Sequence, residues 1–379
     1  YLLNIKNHYK CPCCKEIKTF KFIEIYELEQ SSYTSITNKK TKFTHLPYYC
    51  DNCGHIWNTK PPTETQLKDY YQDQVMHVAE DYDVEKRMNW INETVGSLKG
   101  IKLLDFGSNS SSSFHNTLED NGVLTQTFDV SDSNEIDDDF DVITCYFVLE
   151  HIVNLEKVIS LFKSLSHKNT ILIIEVPATE IYGDYFEVVC CEHQQHFQQK
   201  SLEVLMAFHG FHQLKFDFKK CSRNYGFVAS FRYTGTKISL NNKTHTDTRQ
   251  NYVAARNAQI NYIKNYPFNF CEKNSIHRFS NIIIWGVNAY FEDLMIAKVF
   301  KDCRIIALDI NDKKSNNLGH DIEFYAPKIF FENLSNLMLN NLQNIDRTCV
   351  VITACLHTKS ILPRLKFFKH IFIYNPIDG

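Results

Sequence analysis

Two pairs of cysteines constrain this chain more than any other feature. Cys11 and Cys14 form one C-x2-C within CPCC, and Cys50 and Cys53 form a second within CDNC. Paired knuckles of this kind place four thiolates at the corners of a tetrahedron, the geometry that Zn²⁺ accepts. Four thiolates leave no open position for water. The expected metal is therefore structural, stapling a subdomain, residues 1–65, that lacks enough core of its own. Cys13 is an ambiguity, because it competes with Cys14 as a ligand. Gly54, directly after Cys53, suits the tight turn of a knuckle. Between the pairs lie strand-like sequence, TFKFIEIYEL, and a polar loop, SSYTSITNKKTK.

At 379 residues the chain is too long for one ordinary core. A net charge of −3 argues against a general nucleic-acid binder. No apolar run approaches a membrane span, since ILIIEVP and NIIIWGV have the length of buried strands. With no secretory leader recognised, the thirteen cysteines point to a reducing, cytoplasmic setting and to thiols or metal, not disulfides. Neither a nucleic-acid nor a membrane partner is expected, and the oligomeric state is left open.

From residue 101 onward, buried runs alternate with helical ones. IKLLDFG reads as a strand ending in Asp105 and Gly107, and LTQTFDV as a second ending in Asp129. FDVITCYFVLEHI is a third strand, LEKVISLFKSLS a helix, and TILIIEVP a further strand. The pattern predicts an α/β fold, a doubly wound parallel sheet across residues 66–235. A second βαβ pattern, with a linker helix before it, occupies residues 236–379. Ligands of such sheets bind at the carboxyl ends of the strands, where Gly107, Asp129 and Glu150 sit.

Residues 188–211 read VVCCEHQQHFQQKSLEVLMAFHGF. Following TILIIEVP, they fall at that carboxyl edge. A metal site of Cys190, Cys191, His193 and His196 is disfavoured: adjacent cysteines chelate poorly together, and nothing distant supplies a clear partner. A Cys–His nucleophile lacks an acyl-transfer motif. The preferred reading is an acid–base segment, not a metal site. His193 is its base and Glu192 a carboxylate able to orient the imidazole. The cysteines read as small buried hydrophobes.

The order of these features resembles the class I S-adenosylmethionine (SAM) methyltransferases. LLDFGSNSSSSF stands where that family has its D-x-G-x-G loop, Asp129 where an acid binds the ribose diol, and FDVITCYFVLEH at its strand-four segment. The resemblance implies SAM as cofactor, held by Asp105, Gly107, Asn109, Asp129, Glu150 and His151. Ser and Asn replace the second and third loop glycines, which reduces backbone access to a ligand.

The chain as a whole resembles the sugar C-methyltransferases of deoxysugar biosynthesis. These have a zinc-binding N-terminal domain, a SAM domain and a second, Rossmann-like C-terminal domain. After a strand ending EVP they carry YHEHxxYFS and a helix ending HGF. Glu192 and His193 match the EH, Phe197 the phenylalanine, and Ser201-Leu202 through His209-Gly210-Phe211 the helix. The resemblance implies a nucleotide-linked keto sugar as substrate. His193 would deprotonate the carbon next to the ketone, with Glu192, His196 and Tyr71 around it. Cys190 stands in place of the motif tyrosine and His196 in place of its second tyrosine, so Tyr71, Tyr70 or Tyr185 is the replacement hydroxyl.

In the last segment WGVNAYFED has a single glycine where that family opens with W-G-x-G-x-x-G. Val287, Ala289 and Phe291 crowd a dinucleotide there, so no NAD is expected. Asn288, Asp309 and His357 are expected to line the sugar cleft, or else the domain is a scaffold. Two further readings stay open for the whole chain. One is a SAM-deficient binding or scaffold homologue, the other a sugar O-methyltransferase.

The cysteine spacing makes a direct prediction. Metal analysis of the purified protein should give one zinc per chain. Cys50→Ser should lose that zinc and fold poorly, because a closed site contributes folding free energy. A metal-free parent, or a variant with full metal content and stability, would exclude the site.

Overall fold

The computed structural model describes residues 10–17, 20–30, 40–73, 84–108, 113–128, 136, 138–183, 185, 188–240, 245–300, 303–318, 321–334, 345–354 and 358–374. Two compact units divide the chain. The first comprises Tyr1–Leu28, Phe43–Thr63 and Val78–Arg256; the second comprises Glu29–Lys42, Glu64–His77 and Asn257–Gly379.

Strands in the N-terminal part are β1 (Phe20–Phe22), β2 (Tyr26–Glu29), β3 (Lys42–His45), β4 (Pro47–Cys50) and β5 (Ile56–Asn58). Helices α1 (Glu64–Asp73) and α2 (Val84–Val95) follow. The alternating region then runs β6 (Lys102–Phe106), α3 (Ser113–Asp120), β7 (Leu124–Phe128), β8 (Phe140–Tyr146), α4 (Leu155–Ser164) and β9 (Ser166–Pro177). It continues through β10 (Gln195–His196), α5 (Gln199–Phe208), β11 (Phe211–Asp217) and β12 (Gly226–Tyr233).

The main sheet has the order β11-β12-β9-β8-β6-β7. Four of its strands are parallel, while β12 joins β9 and β11 antiparallel. The predicted doubly wound sheet is thus present. Its central strands are buried on both faces, as their continuous apolar runs require. One expectation is corrected: β8 ends at Tyr146 and does not run on through the LEH segment. Phe147 takes a φ of +55°, which no strand can accommodate, and Leu149–His151 form a short 3-10 turn.

The cysteine segment shares the first unit with this sheet. A four-stranded antiparallel sheet has the order β1-β4-β5-β10, with Gln195 opposite Trp57 and His196 opposite Ile56. Its last strand comes from the segment 188–211, so the knuckles and that segment are one structure. Three buried glutamines reinforce the seam. Asn58 Nδ2 donates to Gln194 Oε1 at 2.8 Å, His55 Nε2 lies 2.9 Å from Gln195 Oε1, and Gln198 Nε2 donates to the Gly54 carbonyl at 2.8 Å.

The second unit contains a parallel sheet of order β15-β14-β13-β16-β17: β13 (Asn281–Trp285), β14 (Arg304–Leu308), β15 (Ile322–Tyr325), β16 (Thr348–Ile352) and β17 (Ile371–Ile373). Helix α6 (Arg249–Lys273) precedes it, and α7 (Ala289–Ile296) follows β13. Among the described residues no helix is long and apolar enough to cross a membrane.

Gly54 tests how tightly the seam is packed. Its φ is +74°, and a Cβ there would stand 1.8 Å from Gln198 Nε2. Gly96 has a φ of +87° with nothing within 4 Å of a Cβ, so it isolates the backbone part of the effect. Gly96→Ala should cost about 1 kcal/mol. Gly54→Ala should cost about 1–3 kcal/mol beyond that through overpacking. Equal losses in urea unfolding would show that the seam gives way freely.

Candidate functional site

The first cluster is the tetrad of thiols. One sulfur each from Cys11, Cys14, Cys50 and Cys53 lies within 4.8 Å of the others. Cys11 Sγ is 3.6 Å from Cys53 Sγ, and Cys14 Sγ is 3.5 Å from Cys50 Sγ. A tetrahedral zinc with bonds of about 2.3 Å needs edges of roughly 3.8 Å, so the residues fit the ion. Cys13 is buried but stands outside the tetrad, which settles the competition in favour of Cys14. Both knuckles turn through a residue at positive φ, Lys15 in one and Gly54 in the other. Hydrogen bonds from Cys11, Cys50 and Cys53 hold the Cys14 thiol well below its ordinary range, while burial pushes Cys11 up. Zinc here would be a staple.

The second cluster sits at the carboxyl edge of the main sheet. Glu150 and His151 lie in the 3-10 turn after β8, and His193 in the loop before β10; one ligand-type atom of each lies within 4.8 Å of the others. The β5–β10 pairing and the Gln194 N–H donated to the Glu150 carbonyl at 2.8 Å bring these distant segments together. His193 is buried, and its Nδ1 lies 2.8 Å from the Val188 carbonyl. A carbonyl only accepts, so Nδ1 carries the proton and Nε2 of the neutral ring holds the free lone pair. The rings of His151 and His193 meet edge to face, 4.8 Å between centroids.

Burial decides the charges here. It raises the Glu150 carboxyl to about 7 and pushes the His151 imidazole well below its ordinary value. Glu150 Oε2 and His151 Nδ1 are buried without a hydrogen-bond partner. The Glu192 carboxylate lies 3.6 Å from His151 Nδ1. The acceptor that orients His193 is therefore the Val188 carbonyl, not the expected Glu192, whose recorded approach is to His151.

His196 is buried beside these residues. Tyr182 Oη lies 3.0 Å from its Nδ1, and burial pushes the imidazole well below its usual range, so it is neutral. Tyr182 was not foreseen. It is the hydroxyl the structure sets against this segment, whereas Tyr71 lies on α1 in the second unit, 44% exposed and edge-on to Tyr70.

Of the residues expected around the cofactor, Gly107 has a φ of +85°, and a Cβ there would meet Val148 Cγ2 at 2.3 Å. The chain thus turns sharply after β6, and only glycine fits. Asp105 is buried in the sheet and accepts from Thr144 Oγ1 at 2.7 Å, and burial raises its carboxyl. Asn109, Asp129 and His357 lie outside the described residues. Asn288 and Asp309 are committed within their own unit. The Asn288 side chain caps α7 through Phe291 N and reaches the Thr353 carbonyl, while Asp309 pairs with Lys314 Nζ at 2.9 Å and takes Val287 N at 2.7 Å.

The same edge holds a second group that the sequence reading missed. Glu175, buried at the end of β9, accepts from Ser222 N at 2.7 Å, from Ser222 Oγ at 2.6 Å and from Arg87 Nε at 3.1 Å. The Arg87 guanidinium stacks 4.2 Å from the Tyr146 ring centroid. A carboxylate inside the apolar run ILIIEVP was the available signal, since a buried charge requires partners.

Comparison with known proteins was made against this geometry. A family model described as "Methyltransferase domain" matches residues 79–227, under half of the chain. No curated protein sequence matches. Among solved structures, the 1,6-didemethyltoxoflavin-N1-methyltransferase of Burkholderia thailandensis is 12% identical over 45% of this chain and 83% of that one, with a TM-score of 0.33. The PH0226 protein of Pyrococcus horikoshii is 13% identical over 44% and 99%, with a TM-score of 0.34. At such scores these likenesses carry no weight. The family match remains: residues 79–227 match a methyltransferase domain, and the parallel strands β6 to β9 of the main sheet lie within them.

Proposed function

We propose that the chain is a SAM-dependent methyltransferase that methylates carbon in a nucleotide-linked keto sugar, with His193 as the base. The observation that carries this reading is the tautomer of His193. Its Nδ1 proton is committed to the Val188 carbonyl, which leaves the lone pair on Nε2 of a buried ring in a loop at the carboxyl edge of the sheet. The order of motifs shared with sugar C-methyltransferases supports the substrate class. In the same reading the thiol tetrad holds structural zinc, and the second unit is a Rossmann-like domain.

SAM supplies an electrophilic methyl carbon, and Gly107, Asn109 and Asp129 would hold it. The protein's own groups do the rest. A C–H bond beside a ketone is acidified, and Nε2 of His193 takes that proton as the C–H pair moves into an enolate. The neutral His196, with Nδ1 against Tyr182, is placed as a donor to the enolate oxygen if Tyr182 gives its proton to Nδ1. The new bond forms at carbon, the carbon–sulfur bond breaks, and the proton stays on His193 until solvent removes it.

The test separates proton removal from methyl transfer. With a nucleotide-linked 4-keto sugar in D₂O and no SAM, the parent should exchange the hydrogen next to the ketone. His193→Asn should lose this exchange. Its methylation rate should fall roughly 10²–10⁴-fold, with S-adenosylhomocysteine affinity nearly intact. Methylation at oxygen without exchange would favour the O-methyltransferase reading. Failure to bind S-adenosylhomocysteine would favour the scaffold.

The buried Glu150 gives a stability prediction. Its carboxyl titrates near 4.5 when unfolded and near 7 when folded. Below pH 4.5 both states are protonated. Between the two values the folded state keeps a proton that the unfolded state has lost, so stability falls as pH rises to 7. Glu150→Gln cannot lose this contribution. It should gain on the order of 3 kcal/mol over the parent between pH 4.5 and pH 8. Parallel unfolding profiles across that range would refute the assignment.

A further inference from the structure

The sequence argues against metal at residues 188–211 because Cys190 and Cys191 are poor joint ligands and no distant partner is evident. The fold supplies the partners from elsewhere. Glu150 and His151 reach His193 from the turn after β8, and neither cysteine belongs to the group.

We propose that Glu150, His151 and His193 form a binding site for a divalent transition-metal cation, separate from the thiol tetrad. Two imidazoles and one carboxylate are a donor set suited to ions such as Co²⁺, Ni²⁺, Fe²⁺ or Zn²⁺, and unsuited to Mg²⁺ or Ca²⁺, which take oxygen. The ring of His193 is already oriented for such a role. Metal-bound histidines commonly donate their other N–H to a carbonyl, and His193 Nδ1 faces the Val188 carbonyl at 2.8 Å. His151 lacks such a bond: the Glu192 carboxylate lies 3.6 Å from its Nδ1, beyond hydrogen-bond distance, and its Nε2 is 4.0 Å from Glu150 Oε1.

An independent observation points to a missing ligand. Glu150 is 1% exposed, yet its Oε2 has no hydrogen-bond partner. A buried carboxylate oxygen without a donor is costly, and a cation removes the deficit. Tetrahedral bonds of about 2.0–2.1 Å require ligand separations of roughly 3.4 Å, so binding would draw the three atoms inward by about 1 Å.

The consequence rests on His193 being the base. A cation bound at Nε2 occupies the lone pair that would take the substrate proton. The ion would then act as a reversible inhibitor of methyl transfer, in competition with the reaction and not as its catalyst.

The experiment titrates the full chain, loaded with zinc at its cysteines, with Co²⁺ followed by calorimetry and visible absorption. One Co²⁺ per chain should bind, giving ligand-field bands without thiolate charge transfer. Glu150→Gln and His151→Ala, checked for intact zinc content and a cooperative melt, should each weaken Co²⁺ at least tenfold. No uptake, uptake only with thiolate charge transfer, or unchanged affinity in both variants overturns the site. Methyl transfer should fall with the same Co²⁺ dependence as binding. Tight binding with full activity would leave the cation site standing and remove His193 as the base.

Discussion

Two residue pairs hold this molecule's chemistry together. Gln195 opposite Trp57 and His196 opposite Ile56 join a strand from the middle of the chain to the sheet that carries the second cysteine knuckle. So short a ladder is weak by itself. It is secured by side chains on both sides, since Gln194, Gln195 and Gln198 are buried and each meets a group from residues 54–58. Buried amides are destabilising unless their partners are in place, so this seam forms completely or not at all. The second cysteine knuckle is the β4–β5 turn, β5 pairs with β10, and β10 follows directly on the loop bearing His193.

The electrostatics of the edge follow from the same burial. Glu150, His151 and His196 are drawn into a region where charge is disfavoured, and desolvation outweighs any pairwise contact in setting their protonation. Nearby Glu175 shows the contrast. Two donors from Ser222 and one from Arg87 satisfy it, and it is a finished structural element. Glu150 is unfinished by comparison, which is why it attracts a functional reading.

Much of the architecture was legible because it depends on local pattern. The largely apolar runs at 102–106, 142–146 and 171–176 mark strands of a buried sheet, and the glycines at 54 and 107 mark turns that a Cβ would block. The C-x2-C spacing singled out Cys14, the cysteine that stands in the tetrad, while Cys13 stayed an ambiguity that only the folded backbone resolves. The partner of His193 was not legible. Adjacency in sequence suggested Glu192, but neighbouring side chains seldom face each other, and a carbonyl five residues earlier takes the proton. Nothing in the local sequence marks Gln194, Gln195 and Gln198 as buried. Their burial follows from long-range pairing, which no local window contains.

The end of β14 carries its own answer to the question of ligands. Asp309 stands at the carboxyl end of a parallel strand, and Lys314 and the amide of Val287 already complete it. An incoming diol would have to evict an ammonium group from its own chain before it met the carboxylate. The second sheet therefore carries an internal stand-in for a ligand, tethered five residues from the acid that it neutralises. Because the chain itself links the two groups, the ammonium meets the carboxylate at a far higher effective concentration than a free ligand would.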